Sequence, residues 1–162
     1  MNYRVGGLSD LPQLKELGKK SYIEFSEVLS GEHWDKMFIF LEDESALREL
    51  ILRSKVLLCE EEGELVGMVY FVPSGHEEGR YKDSWSVIRY LGVDPKYRGK
   101  GIGRKLTEMC LQEAKNSGEK FVALHTSEFM HSARNMYEEM GFQKQESFQH
   151  YGKNYWIYLL KL

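Results

Sequence analysis

The chain has 162 residues, 42% hydrophobic and 13% aromatic, with 25 acidic against 22 basic side chains and a formal net charge of −3 at neutral pH. That near-balance excludes a global field drawing it onto nucleic acid or an anionic membrane, and the length suits a single domain, residues 1–162, around one sizeable core. The Met1–Val5 opening lacks the apolar run of a signal peptide, and no stretch reaches the roughly 20 apolar residues that span a bilayer. The expectation is a cytoplasmic protein with no nucleic-acid and no membrane partner.

In chain order, Tyr3 to Val5 reads as a short strand. Asp10 is placed to cap a helix from Leu11, with Pro12 tolerated in its first turn and Leu11, Leu14 and Leu17 at helical spacing. From Ser21 to Phe40 the pattern is aromatic and acidic without clean periodicity, and a second helix runs from Glu44 to Leu52. Val56 to Glu60 and Leu65 to Val72 flank Glu61-Glu62-Gly63 as a β-hairpin. A polar loop with Gly75 and Gly79, expected to be a mobile surface segment, leads to a strand from Trp85 to Val93 that Pro95 ends.

The clearest helix follows, with Ile102, Leu106, Met109, Cys110 and Ala114 on one stripe and Gly118 just past its end. Phe121 to Thr126 is a strand, and a helix from His131 to Met140 closes at Gly141. Phe142 to Phe148 and Tyr155 to Leu160 pair across Gly152-Lys153-Asn154. This order gives a mixed α/β layer architecture. Cys59 and Cys110 lie in apolar patterns without metal-ligand spacing, so they read as reduced buried thiols, and no metal site is expected.

Chemistry concentrates where the strand ending at Val93 enters RGKGIG, residues 98–103, and then a helix. Gly99, Gly101 and Gly103 bare the backbone N–H groups, and a helix N-terminus carries partial positive charge. Arg98, Lys100, Arg104 and Lys105 crowd the same end, an unfavourable arrangement that a bound polyanion relieves. A phosphate-binding P-loop requires a Lys and a hydroxyl that GKGIGRK does not place correctly. A dinucleotide fingerprint fails because Leu106 stands where its third glycine belongs.

The run resembles the RxxGxG motif of the GNAT (Gcn5-related) N-acetyltransferases, with the family's V-x-P-x-Y lead-in present as Val93, Pro95 and Tyr97. A second family signature, A-x-x-x-Y-x-x-x-G-F, is filled by Ala133, Tyr137, Gly141 and Phe142. The resemblance implies a central, largely antiparallel sheet with splayed central strands and flanking helices. It implies acetyl-CoA as co-substrate, with Leu91 and Val93 offering backbone groups to the pantetheine arm and Gly92 permitting a β-bulge. The pyrophosphate would lie on Arg98, Gly99, Lys100, Gly101, Ile102, Gly103 and Arg104. Many relatives dimerise through the last hairpin, so a homodimer is one expectation.

The reaction so implied is direct acetyl transfer to a primary amine of a small molecule or peptide. Tyr137 suits the general acid, since a phenol stays protonated at neutral pH yet can share its proton with a departing thiolate. The base is His125, at a position where some relatives carry Glu, or a water/Glu relay, with Glu24 and Glu27 as further candidates. The family often places Asn where this chain has Met130, and a Glu on the strand that here reads Val87-Ile88-Arg89-Tyr90. These two departures support an alternative, a non-catalytic acyl-CoA sensor. Carboxylates at Glu24, Glu27, Glu32, Asp35, Glu42, Asp43 and Glu44 lie among Tyr22, Phe25, Trp34 and Phe38, a mixture able to hold a cationic amine, although solvated carboxylates over a core-facing stripe are the plainer account.

Overall fold

The apolar runs separated by turn residues become strands of one sheet. In the computed structural model, which describes residues 1–162, these are β1 (Asn2–Val5), β2 (Lys55–Glu61), β3 (Glu64–Val72), β4 (Ser86–Val93), β5 (Phe121–Ser127), β6 (Gln143–His150) and β7 (Lys153–Lys161). Their order across the sheet is β1-β2-β3-β4-β5-β7-β6. Every neighbouring pair is antiparallel except β4 and β5, which are parallel and pair only at Ser86 with Val122 and Val87 with Ala123. Past Val87 the two strands part, leaving a gap in the middle of the sheet.

Helices cover both faces because the strands alternate two buried sets of side chains. On one face α1 (Leu11–Tyr22) and α3 (Glu44–Arg53) bring Leu11, Leu14, Leu17, Leu50 and Ile51 onto Leu58, Met68 and Tyr70. On the other, α4 (Ile102–Asn116) and α5 (His131–Glu139) pack Ile102, Leu106, Cys110 and Tyr137 against Val69, Phe71 and Leu124. Both cysteines are buried and unpaired.

Three local expectations are corrected. Asp10 precedes α1, but its carboxylate turns back to the Gly7 N–H at 2.9 Å and to Arg4 at 2.7 and 3.0 Å, so it fastens β1 and gives the helix no side-chain cap. The Ser21–Phe40 stretch holds a short 3-10 turn, Ile23–Glu27, and a full helix, α2 (Gly31–Glu42), capped by Ser30 accepting from the His33 N–H at 3.2 Å. Only Met37 of α2 is buried, so no sharp apolar stripe marks it. The last hairpin turns at Tyr151 and Gly152, both left-handed with φ of 51° and 71°, one residue earlier than the spacing indicates.

Candidate active site

The glycine-rich turn is built as a donor nest. Asp94 accepts from the Lys96 N–H at 3.0 Å and starts a 3-10 turn, Pro95–Tyr97, that re-aims the chain from β4 toward α4. Gly99 and Gly101 then adopt φ of 79° and 81°, a left-handed conformation costly for residues with a Cβ, and α4 begins at Ile102. No backbone N–H from Gly99 to Arg104 donates to another group of the protein. Six donors thus remain at a helix N-terminus, the arrangement that receives phosphate oxygens.

The cations around this nest are partly committed. Arg98 donates to Glu24 at 2.7 Å and to the Ser21 carbonyl at 3.0 Å, tying the turn to the end of α1. Arg104 pairs with Glu139 of α5, whereas Lys100 lies 5.1 Å from the Tyr97 ring centre. Gly103 differs from its neighbours: it is helical, and a Cβ there would sit 3.8 Å from Leu91 and 3.9 Å from Val93, ordinary contact distances. Its freedom from a side chain clears the ligand side of the turn and is not needed for backbone conformation.

Gly92 directly follows a β-bulge in β4. The register between β3 and β4 slips by one residue between Met68–Gly92 and Tyr70–Arg89, so Tyr90 and Leu91 stand opposite Val69, and Tyr90 takes the left-handed conformation at φ 50°. Gly92 also admits α1, since a Cβ would lie 2.8 Å from Ser21 Oγ and 2.9 Å from Met68 Cε. The bulge aims Arg89 and Tyr90 toward α1 and α3 while Leu91 and Val93 pack on the α4 side. The Leu91 carbonyl accepts from the Tyr22 hydroxyl at 3.2 Å.

A cleft of about 1430 Å³ runs through the gap between β4 and β5. On the α4 side it is lined by Leu91, Val93, Gly99, Gly101, Gly103, Met136 and Tyr137; on the other by Tyr22, Phe25, Arg89, His125, His150 and Tyr155. Tyr137 is 5% exposed, and its hydroxyl makes no hydrogen bond within the chain. Burial, then nearby Cys110 and Tyr81, pushes its pKa up, so the phenol holds its proton.

His125 is held neutral. Its Nδ1 is hydrogen-bonded to the hydroxyl of Tyr81, a buried residue of the β3–β4 loop for which the sequence gives no signal. Phe148, His150 and Tyr155 pack edge-on around the ring. Burial, then the charges of Arg89, His150 and Arg80, lower its pKa to about 3. Nε2 makes no hydrogen bond within the chain.

The β3–β4 loop is pinned, contrary to the expected mobile surface segment. Glu78, with a side chain 8% exposed, accepts from Arg53 Nε at 2.8 Å and from Arg89 Nη1 at 2.8 Å, joining α3, the loop and β4. The expected acidic acceptor region is also largely committed elsewhere. Glu42 and Glu44 pair with Lys15, Glu32 pairs with Lys36, and Asp43 caps α3 by accepting from the Ala46 N–H at 3.1 Å. Of the two further base candidates, Glu24 is bound to Arg98 and Glu27 is exposed at the cleft edge. Met130 stands at the start of α5, its sulfur accepting from the Thr126 hydroxyl at 3.3 Å.

With this geometry in place, sequence comparison is decisive. Residues 17–142 match the model of the acetyltransferase (GNAT) family. The chain belongs to the GNAT acetyltransferase family. It is 30% identical over 147 residues to human N-acetyltransferase 8B, covering 90% of this chain and 61% of that protein. It is 30% identical over 101 residues to an uncharacterised N-acetyltransferase of Bacillus subtilis, covering 62% of this chain and 66% of the relative. The chain therefore spans less than two thirds of the length of both relatives. Among solved structures, PaiA N-acetyltransferase from Thermoplasma acidophilum in complex with coenzyme A superposes over the full length of both chains with a TM-score of 0.80 at 18% identity. The mixed sheet with its central gap is thus the GNAT fold.

Proposed function

We propose that this protein transfers an acetyl group from acetyl-CoA to a primary amine of a small molecule or peptide. The observation that carries this reading is the cleft that joins the unpartnered N–H groups of Gly99 to Arg104 with Tyr137 and His125 through the gap in the sheet. The residues present fit CoA: a nest of six free donors for the pyrophosphate, and Leu91 and Val93 at the unpaired edge of β4 beside it for the arm. Acetyl-CoA supplies an activated acyl carbon and a thiolate leaving group.

The chain's own groups then divide the proton work. The amine nitrogen bonds to the acyl carbon as the carbon–sulfur bond breaks, the amine releases one proton, and the sulfur takes one up. Tyr137, protonated and facing the cleft, is the donor to sulfur. His125 accepts from the amine nitrogen through Nε2, directly or through water, with Tyr81 fixing the ring through Nδ1. A histidine depressed to about 3 cannot strip a free ammonium ion efficiently, so the amine must lose its charge on entry. The guanidinium groups of Arg53, Arg80 and Arg89 along the same wall favour that loss by destabilising a second cation.

The test is release of free thiol from acetyl-CoA in the presence of amino acids, polyamines, aminoglycosides and peptides. Turnover with at least one amine, and protection from heat by CoA but not by ATP, is the expected result. CoA binding with no turnover across the panel would replace this reading with the acyl-CoA sensor.

A further inference from the structure

The amine-side wall of the cleft carries guanidinium groups whose hydrogen-bonding capacity the fold does not use up. Arg89 is 18% exposed at its side chain and Glu78 8%, and this one carboxylate serves two guanidinium groups. Arg89 Nη2 finds only the neutral Tyr90 hydroxyl at 3.1 Å, and its buried Nε has no partner. Arg80 makes no ion pair and lies 3.7 Å from the centre of the Phe148 ring, at the rim of the cleft. A guanidinium kept for structure alone is normally matched by its own carboxylate, because an under-compensated buried charge is costly. Here Arg53 and Arg89 share the one buried glutamate, Glu78, while Glu24 is bound to Arg98 and Glu27 and Glu77 are exposed at the cleft edge.

This charge sits beside the proposed reaction centre. Glu78 and Tyr81 are three residues apart on one loop, the first holding Arg89 and the second hydrogen-bonded to His125. The pKa values of His125 and His150 are lowered first by burial and then by neighbouring charges that include Arg80 and Arg89. Around it, Tyr22, Phe25, Phe40, Phe129 and Tyr151 give the cleft apolar walls.

We infer that Arg89, supported by Arg53 and Arg80, binds a carboxylate on the acceptor itself, so that the acceptor class is a small amino acid with an apolar side chain rather than a polyamine. This rests on the acetyltransferase reading and narrows it. Arg89 selects the substrate by a charge-assisted hydrogen bond, and the aromatic walls take the side chain.

The experiment compares matched acceptors on the intact protein by thiol release: phenylalanine, phenylalaninamide, phenethylamine and spermidine. The expected kcat/KM for the acid exceeds that for the amide and the decarboxylated amine by about 10- to 100-fold, the range of a charged hydrogen bond. Arg89→Gln is expected to reduce that preference to about threefold or less, with the loss for the acid, carried mainly by KM, exceeding any loss for the amide. Arg80→Gln, an exposed position that does not endanger folding, is expected to reduce it by a smaller factor. Equal or better use of the amide, amine or spermidine by the wild type overturns the carboxylate subsite and leaves the acetyltransferase reading standing. A loss in Arg89→Gln that is the same for acid and amide also overturns it. Turnover with no amine at all, while CoA still binds, defeats both readings.

Discussion

His125 and Tyr137 lie on opposite faces of the sheet and share one cleft through the gap between β4 and β5. His125 packs with Tyr81 and Phe148 on the α1–α3 side, and Tyr137 packs with Leu124 and Phe142 on the α4–α5 side. In the proposed mechanism an acyl carbon held in the gap would have its nucleophile arriving from one side of the sheet and its leaving sulfur on the other. Donor and acceptor need no shared position and no exchange of roles.

That separation makes Tyr137→Phe a specific test. The ring still packs on Phe142, so folding is preserved, while the hydroxyl facing the cleft is lost. The expected outcome is a fall in kcat of roughly 100-fold with little change in CoA affinity, as for removal of a general acid. Steady-state kinetics with a calorimetric CoA titration check it; unchanged kcat would remove Tyr137 from the mechanism.

His125→Gln probes the other side. Gln keeps a partner for the Tyr81 hydroxyl but cannot take a proton. Because the amine enters already neutral in both proteins, turnover is expected to fall by a similar factor at every pH above the range where the histidine titrates. Because the histidine titrates near 3, the wild-type profile should show no limb close to 6.5, the ordinary imidazole value. An unchanged turnover number in the variant counts against the role.

Gly103→Glu tests the nest without distorting it. Gly101 is left-handed, so any side chain there strains the turn, whereas Gly103 is helical with only ordinary contacts at the Cβ position. The variant should fold with wild-type thermal stability and lose CoA binding by at least 100-fold, since a carboxylate would occupy the place of a phosphate. Retained affinity would move the pyrophosphate site away from α4.

These expectations show what was legible in the chain. The turn at Gly99 and Gly101, the helix at Ile102 and the helix ending at Gly141 are local events in which one residue's conformational freedom decides the structure, and the sequence displays them. The Arg53–Glu78–Arg89 bridge joins residues 25 and 11 positions apart through tertiary contact, so nothing in the spacing announces it. The hydrogen bond between Tyr81 and His125 spans 44 positions and is equally silent. α2 was hidden because its aromatic residues face a cleft and solvent more than a packed core; Phe38, Ile39 and Phe40 are all exposed. Its cap at Ser30 was the one available sign.

Gly67 was also silent, and it controls how closely α4 approaches the sheet. A Cβ on Gly67 would lie 2.6 Å from Ile102 Cγ2 and 3.1 Å from Leu106 Cδ1, within the first turns of the helix that carries the nest. Gly67→Ala is expected to cost about 1–3 kcal/mol of stability by overpacking and to weaken CoA binding, because α4 must shift outward. Ile102→Leu removes the branching Cγ2 methyl that makes the clash and should restore part of both. Chemical denaturation and CoA titration of the single and double variants check this coupling; a stability loss with unchanged CoA affinity would show that α4 absorbs the clash without moving the nest.

Acid stability gives an independent reading of His125. Its folded pKa, about 3, lies below the ordinary value near 6.5, so the unfolded chain binds the extra proton first as pH falls. The group contributes nothing to the pH dependence above about 6.5, and stability is lost progressively as pH drops from there toward 3. His150 is depressed by its burial and by Arg80 and Arg89, and acts in the same direction. Asp10 is lowered by Arg4, so its contribution disappears only at still more acid pH, below the usual carboxylate range. Between pH 6.5 and 4 the histidines should therefore dominate, and His125→Gln should lose less melting temperature over that interval than the wild type. Equal losses in the two proteins would mean that the imidazole is freer to protonate than its packing against Tyr81, Phe148 and Tyr155 implies, and would restore it as a stronger base than the one proposed.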